Sequence, residues 1–183
     1  MEFDIYFNGI CSKNDDLYFL RFFSEYHTSS QPIVYNYFLE DKRLASIRER
    51  IPDRIIFDSK DEFDLQCNLM HWVHKTLPSG GDAPVRPFNT LNILDEAQKN
   101  RHTASCWTYA VALNEVFLSQ GFLSRMVRCL SLDLRPSDCH CVTLVYSNVY
   151  RKWIAFDAAM GTYYTDKNKI PLSLKEMRKA FIR

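Results

Sequence analysis

The run Thr103-Ala-Ser-Cys106-Trp-Thr-Tyr-Ala110-Val-Ala-Leu113-Asn-Glu-Val-Phe117-Leu-Ser-Gln120-Gly121 decides the architecture. Ala110, Leu113 and Phe117 recur at the spacing of one helix face, and Val111 and Leu118 widen that face. A helix this apolar belongs at the centre of a domain. Thr103 or Ser105 can cap its start, and Gly121 is placed to stop it. Residues 123–130, 140–147 and 151–157 then read as strands. Helices first and an antiparallel sheet afterwards give an α+β class, with the central helix packed on the sheet.

Upstream, Ser59 and Glu62 have the spacing of a capping box. Phe63, Cys67, Met70 and Leu77 follow at helical intervals, so residues 60–77 read as an amphipathic helix ended by Pro78-Ser-Gly-Gly81. Asn89 or Thr90 caps a second helix to about Lys99, with Leu91, Leu94 and Ala97 inside. Ser173 and Glu176 repeat the capping-box spacing and open a short terminal helix. Residues 1–10 alternate as a strand does. Residues 39–50 read as a short helix stopped before Pro52. The expected organisation is an N-terminal extension of unknown role, 1–59, packed on a core, 60–183.

At 183 residues the chain suits one domain, and its 46% hydrophobic and 25% charged content is that of an ordinary folded protein. The net charge of +1 offers no field for nucleic acid or anionic lipid. No apolar run reaches the ~18–20 residues of a membrane span. Met1 to Ile10 carries Glu2 and Asp4 and no basic segment, unlike a signal peptide. The expectation is a cytoplasmic protein whose six cysteines (Cys11, Cys67, Cys106, Cys129, Cys139, Cys141) are reduced thiols. No Cys-x-x-Cys pair points to zinc, and no metal or cofactor is expected.

Cys106 opens the central helix. A helix N-terminus carries about half a positive charge and unbonded N–H groups, which favour a thiolate and can hold an oxyanion. Any single cysteine is more simply read as a buried structural thiol, so its position needs support from elsewhere. The two following strands supply it. A two-residue turn at Asn148-Val149 sets His140 directly opposite Asp157 on one face, and a register shift of two leaves them diagonal neighbours. Cys139 and Cys141 then point to the other face, which argues against a Cys–His–Cys metal site. His71 and His74, at i and i+3, lack the further ligands a metal site needs. His102, just before the nucleophile, is a weaker rival base.

These residues resemble those of the bacterial transglutaminase-like superfamily, which has a papain-like cysteine protease fold. Ala104 to Ala110 is similar to its nucleophile motif, in which Trp often follows the Cys. Gly121-Phe-Leu-Ser-Arg125 resembles its passage into the first strand. Asp138 to Ser147 resembles the strand carrying the His, and Lys152-Trp-Ile-Ala-Phe-Asp157 the strand carrying the Asp. The likeness covers residues 60–180. It implies Cys106 as nucleophile, His140 as base and then acid, and Asp157 as orienting carboxylate, acting on a peptide or protein amide through a thioester acyl-enzyme. Ser105, Trp107 and Trp153 are candidates for the oxyanion site or cleft walls. The stretch Val85-Arg-Pro-Phe88 lacks the Trp of cross-linking members, and Ala158-Ala159 replaces the usual Pro. These departures favour hydrolysis by a peptidase or amidase. The alternatives are protein-glutamine transfer or amide synthesis on the same triad, and a catalytically silent peptide-binding module. Arylamine acetyl transfer would need a coenzyme A site that the sequence does not offer.

Overall fold

In the computed structural model, residues 34–130 and 139–181 are described. The strand expected within residues 1–10, and Cys11, lie outside them. In chain order the elements are α1 (Lys42–Arg48), α2 (Asp53–Phe57), α3 (Glu62–Thr76), α4 (Thr90–Asn100), α5 (Cys106–Ser119), β1 (Ser124–Leu130), β2 (Cys139–Ser147), β3 (Lys152–Asp157), β4 (Thr162–Tyr163) and α6 (Leu174–Phe181). The four strands form one antiparallel sheet in sequence order. The fold is α+β, with α5 against one face of the sheet. Among the described residues no helix is long and apolar enough to cross a membrane.

Alternation decides which side chains meet α5. The Thr143 hydroxyl donates to the Ala110 carbonyl at 3.0 Å, so β2 turns Cys141, Thr143 and Val145 toward the helix. From β3, Ile154 and Phe156 point the same way and are fully buried. Phe156 packs edge-on to Phe117 at 5.6 Å between ring centres. Leu69, Met70 and Val73 of α3 and Leu113, Val116 and Phe117 of α5 complete this layer. Leu44 and Ile47 of α1, with Ile51, join the same core from upstream of residue 60.

The helix starts show how capping competes. The capping box expected at Ser59 does not form. Asp61 caps α3 instead, its carboxylate accepting from Asp64 N–H at 2.9 Å. Ser59 Oγ donates to the Ile55 carbonyl at 2.6 Å, and Glu62 accepts the Asn148 N–H at 2.6 Å across the fold. A charged acceptor two residues nearer the helix outbids the serine. At α6 the box closes as read: Glu176 N–H reaches Ser173 Oγ at 3.2 Å while Ser173 N–H donates to Glu176 Oε2 at 2.8 Å. Pro52 does more than end a helix, because it caps α2.

The β2–β3 connection also differs. Ser147 pairs with Lys152, so the loop comprises Asn148 to Arg151, and Arg151 takes φ of 52°. Asn-Val has no glycine for a tight two-residue turn, and the longer loop relieves it. The register moves by two, which keeps side-chain parity and leaves His140 and Asp157 as diagonal neighbours.

Candidate active site

Cys106 owes its position to local chemistry. Ser105 caps α5 with an extended backbone, its Oγ accepting from Thr108 N–H at 3.5 Å, and its carbonyl takes Tyr109 N–H at 3.0 Å. The N–H groups of Cys106 and Trp107 fall in the first turn, where no carbonyl of the helix can reach them. The chain before Ser105 is tied to the 78–83 loop. Ala104 N–H donates to the Pro78 carbonyl at 2.7 Å, Gly80 N–H to the Ala104 carbonyl at 3.1 Å, and Thr103 N–H to Asp82 Oδ2 at 2.8 Å. That last bond holds the Asp82 carboxyl below its usual range. Gly80 is required there, since a Cβ would lie 2.3 Å from Thr103 Oγ1. His102 is committed to the same clasp: its Nε2–H donates to the Ala83 carbonyl at 2.7 Å. The phenol of Tyr109 anchors the helix at the Leu77 carbonyl, 2.6 Å away.

His140 and Asp157 are joined across the sheet. His140 Nε2 meets Asp157 Oδ2 at 2.6 Å. The Asp157 side chain is only 1% exposed, while that of His140 is 43% exposed. The other carboxylate oxygen, Oδ1, accepts the Met160 N–H at 3.1 Å. The hydrogen bond to Asp157 raises the His140 pKa from its ordinary value, and burial opposes it less strongly. Nδ1 is the ring nitrogen not used by Asp157.

The Cys106 sulfur lies 4.0 Å from the Cys139 carbonyl, one residue before His140. Its thiol also meets that of Cys141, which alternation turns toward α5. Burial, followed by Cys106 and Cys139, pushes the Cys141 thiol up to about 11. Burial and the nearby Asp64 push the Cys67 thiol on α3 up to about 12. Cys129 is paired with His140 in the β1–β2 register and shares its sheet face. Partial burial of its sulfur, then the Asp157 carboxylate, raises its pKa. Sequence reading passed over Cys129, whose place opposite His140 emerges only once β1 is in register. It also passed over Tyr164, a neighbour of both Asp157 and Cys129 whose phenol is raised by burial.

Ser105 and Trp107 stay with Cys106. Trp107 is 44% exposed and packs edge-on to Phe88 at 4.9 Å. Trp153 stands apart. It meets Tyr146 edge-on at 5.7 Å and lies under the Arg125 guanidinium at 4.4 Å, four residues up β3 from Asp157. Among the described residues, no three His, Cys, Asp or Glu side chains converge to hold a metal ion.

The chain matches no family profile, and no curated protein matches it in sequence. It is similar in structure to a proposed cysteine protease from Cytophaga hutchinsonii, with a TM-score of 0.47 and 14% identity. That likeness covers 86% of this chain and 45% of the other, so the chain spans under half the length of its neighbour.

Proposed function

We propose that this chain is a cysteine-dependent amide or peptide hydrolase of the transglutaminase-like kind, with Cys106 as nucleophile, His140 as base and then acid, and Asp157 as the carboxylate that orients the imidazole. One observation carries the reading: a buried carboxylate holds His140 Nε2 at 2.6 Å on the strand whose first residue touches the Cys106 sulfur. Nδ1 is then the nitrogen that takes the thiol proton. The thiolate attacks the amide carbonyl, and the Cys106 and Trp107 N–H groups are suited to the oxyanion. His140 returns the proton to the leaving amine, leaving a thioester on Cys106. Water, deprotonated by the same imidazole, attacks the thioester and releases the carboxylic acid and the thiol.

Hydrolysis is favoured over transfer to an amine. An acyl-enzyme exposed to water at ~55 M needs a water-shedding acceptor channel to prefer an amine. Trp107 has an aromatic neighbour in Phe88, but Trp153 is engaged with Tyr146 and Arg125. In this proposal the chemistry belongs to residues 60–183, and the upstream segment supports it through Leu44, Ile47 and Ile51.

A second reading has its own observation: Cys129 shares the His140 face and is its register partner. The raised Cys129 pKa works against it, because the thiolate is the attacking species. An iodoacetamide probe at neutral pH, with mass-spectrometric location of the adduct, separates the two. The proposal expects Cys106 to be labelled first. It also expects glutamine- or peptide-amide hydrolysis to vanish in Cys106→Ala with the fold intact. First labelling at Cys129, or activity that survives Cys106→Ala, overturns it. Amine incorporation outrunning ammonia release at millimolar amine would assign the transferase alternative. No product from a broad peptide library would assign the binding module.

A further inference from the structure

Asp157 ends β3, and a side chain from α3 grips the short connection to β4 that follows it. Ala158 is buried, and its carbonyl accepts Gly161 N–H at 3.3 Å, closing the turn. The same carbonyl lies 2.9 Å from His74 Nδ1. A carbonyl can only accept, so Nδ1 carries the proton and donates it. Gly161 sits at φ of +63°, and a Cβ there would come within 2.7 Å of the His74 ring. Glycine is therefore demanded twice, by the backbone and by the close approach of the imidazole. His71, one turn earlier, lies beside the Gly161 backbone. The imidazole of His74 lies against Tyr109 of α5, with 6.2 Å between ring centres. The His71/His74 pair thus faces this turn. It spans from the central helices to the turn carrying the carboxylate.

We propose that His74 is a positioning residue for the active site: by holding the Ala158 carbonyl it fixes the 157–161 turn, and through it the Asp157 carboxylate that aligns His140. The consequence follows from the bonds within the turn. Asp157 Oδ1 takes Met160 N–H, two residues beyond the gripped carbonyl, while Oδ2 takes His140. Loosening Ala158 moves Met160 and frees one side of the carboxylate. The other oxygen then loses its aim at Nε2, and charge-assisted hydrogen bonds weaken steeply with misalignment. This inference rests on the triad reading of Asp157 and His140.

The test follows His140 directly, by NMR titration of its ring in the full chain. His74→Phe keeps a ring against Tyr109 and removes the donor. His74→Asn restores a donor near the position of Nδ1. We expect the His140 pKa to fall in the Phe variant and return toward the wild-type value in the Asn variant. Should the Phe variant not fold, His74→Gln, which displaces the donor, takes its place. In wild type, ring nitrogen shifts should show His74 protonated on Nδ1. A His140 pKa unmoved by loss of the donor overturns the proposal, as does a His74 protonated on Nε2 alone. Iodoacetamide alkylation of Cys106 is measured alongside and should slow roughly 10- to 100-fold with the donor gone. A shifted His140 with unchanged alkylation would leave the clamp standing and sink the triad.

Discussion

Cys106 and His140 stand on elements that owe their positions to different spans of the chain. The cysteine wall is built from neighbours: the cap at Ser105, the apolar stripe of α5 and a clasp to the 78–83 loop, about twenty residues upstream. The histidine wall is built from strands brought into register and from a turn gripped by α3, with Ala158 and His74 separated by 84 residues. On the proposed reading, a nucleophile placed by local rules survives distant damage. A base placed by register and by one buried carboxylate does not. Mutations on the second wall should therefore reach the chemistry without touching the first.

The largest expected effect lies at the contact between His140 and its carboxylate. Asp157→Asn keeps the shape and removes the charge, so amide hydrolysis should fall by about 10²- to 10⁴-fold, by analogy with the loss of a triad carboxylate elsewhere. Cys106 should keep its place, since α5 is untouched, while its alkylation should slow at least as much as in the His74 variants, because the imidazole beside it loses its carboxylate. A variant within threefold of wild-type turnover would break the comparison, because the second wall would then be idle.

Thiol reactivity comes next. With Cys141 held at about 11 and Cys67 at about 12, their thiolate fractions at pH 7 are roughly 10⁻⁴ and 10⁻⁵. Both should resist iodoacetamide in the folded protein and react readily in urea. Alkylation of Cys141 as fast as that of Cys106 would mean that the two thiols on the helix side are equivalent, contrary to their burial.

Phe156 sharpens the structural half. It is fully buried among Phe63, Phe117 and Tyr163, one residue before Asp157. Phe156→Ala should destabilise the fold by about 3–5 kcal/mol in urea unfolding. The surviving folded fraction should show a lowered His140 pKa. A full-sized stability loss with an unmoved His140 would show that the carboxylate is held by its turn alone.

The same contrast explains what was legible in the sequence. The α5 boundaries, Gly121 at φ of +83° and the Asn89 cap follow from residues within one helical turn, and all were readable. Parity along β2 and β3 was readable too, because a shift of two preserves it. The loop length was not, since Asn-Val marks no turn type. The cap at Asp61 was missed because Glu62, expected to answer Ser59, is drawn to Asn148 by contacts 86 residues away. His74 was noticed for its spacing from His71, yet its partner is a backbone carbonyl, a group that no side-chain pattern reveals.

A smaller effect concerns pH. Asp157 raises the His140 pKa above 6.5, so the protonated imidazole is favoured in the folded state. The stability this adds is complete below the unfolded histidine value and disappears as pH rises through the raised folded value. Urea midpoints compared with His140→Gln from pH 5 to 9 should therefore converge across that window. A gap that widens with rising pH would reverse the sign and contradict the 2.6 Å contact.

The smallest effect belongs to the first wall, and it is the sharpest check on the idea that this wall is local. Ser105→Ala removes the side-chain cap of α5. The bond it deletes is long, 3.5 Å to Thr108 N–H, so the loss should sit near the low end for such caps, about 0.5–1 kcal/mol. The helix should persist regardless, because Leu113, Val116 and Phe117 bury its inner face and Tyr109 ties it to Leu77. Cys106 would then keep its place, and the N–H groups of the first turn would still face it. Alkylation of Cys106 should change by less than about threefold, equivalent to well under 1 kcal/mol. A much larger fall in reactivity at this small stability loss would give the Ser105 hydroxyl a direct part in holding the thiolate, and the cysteine wall would no longer be a matter of helix geometry alone.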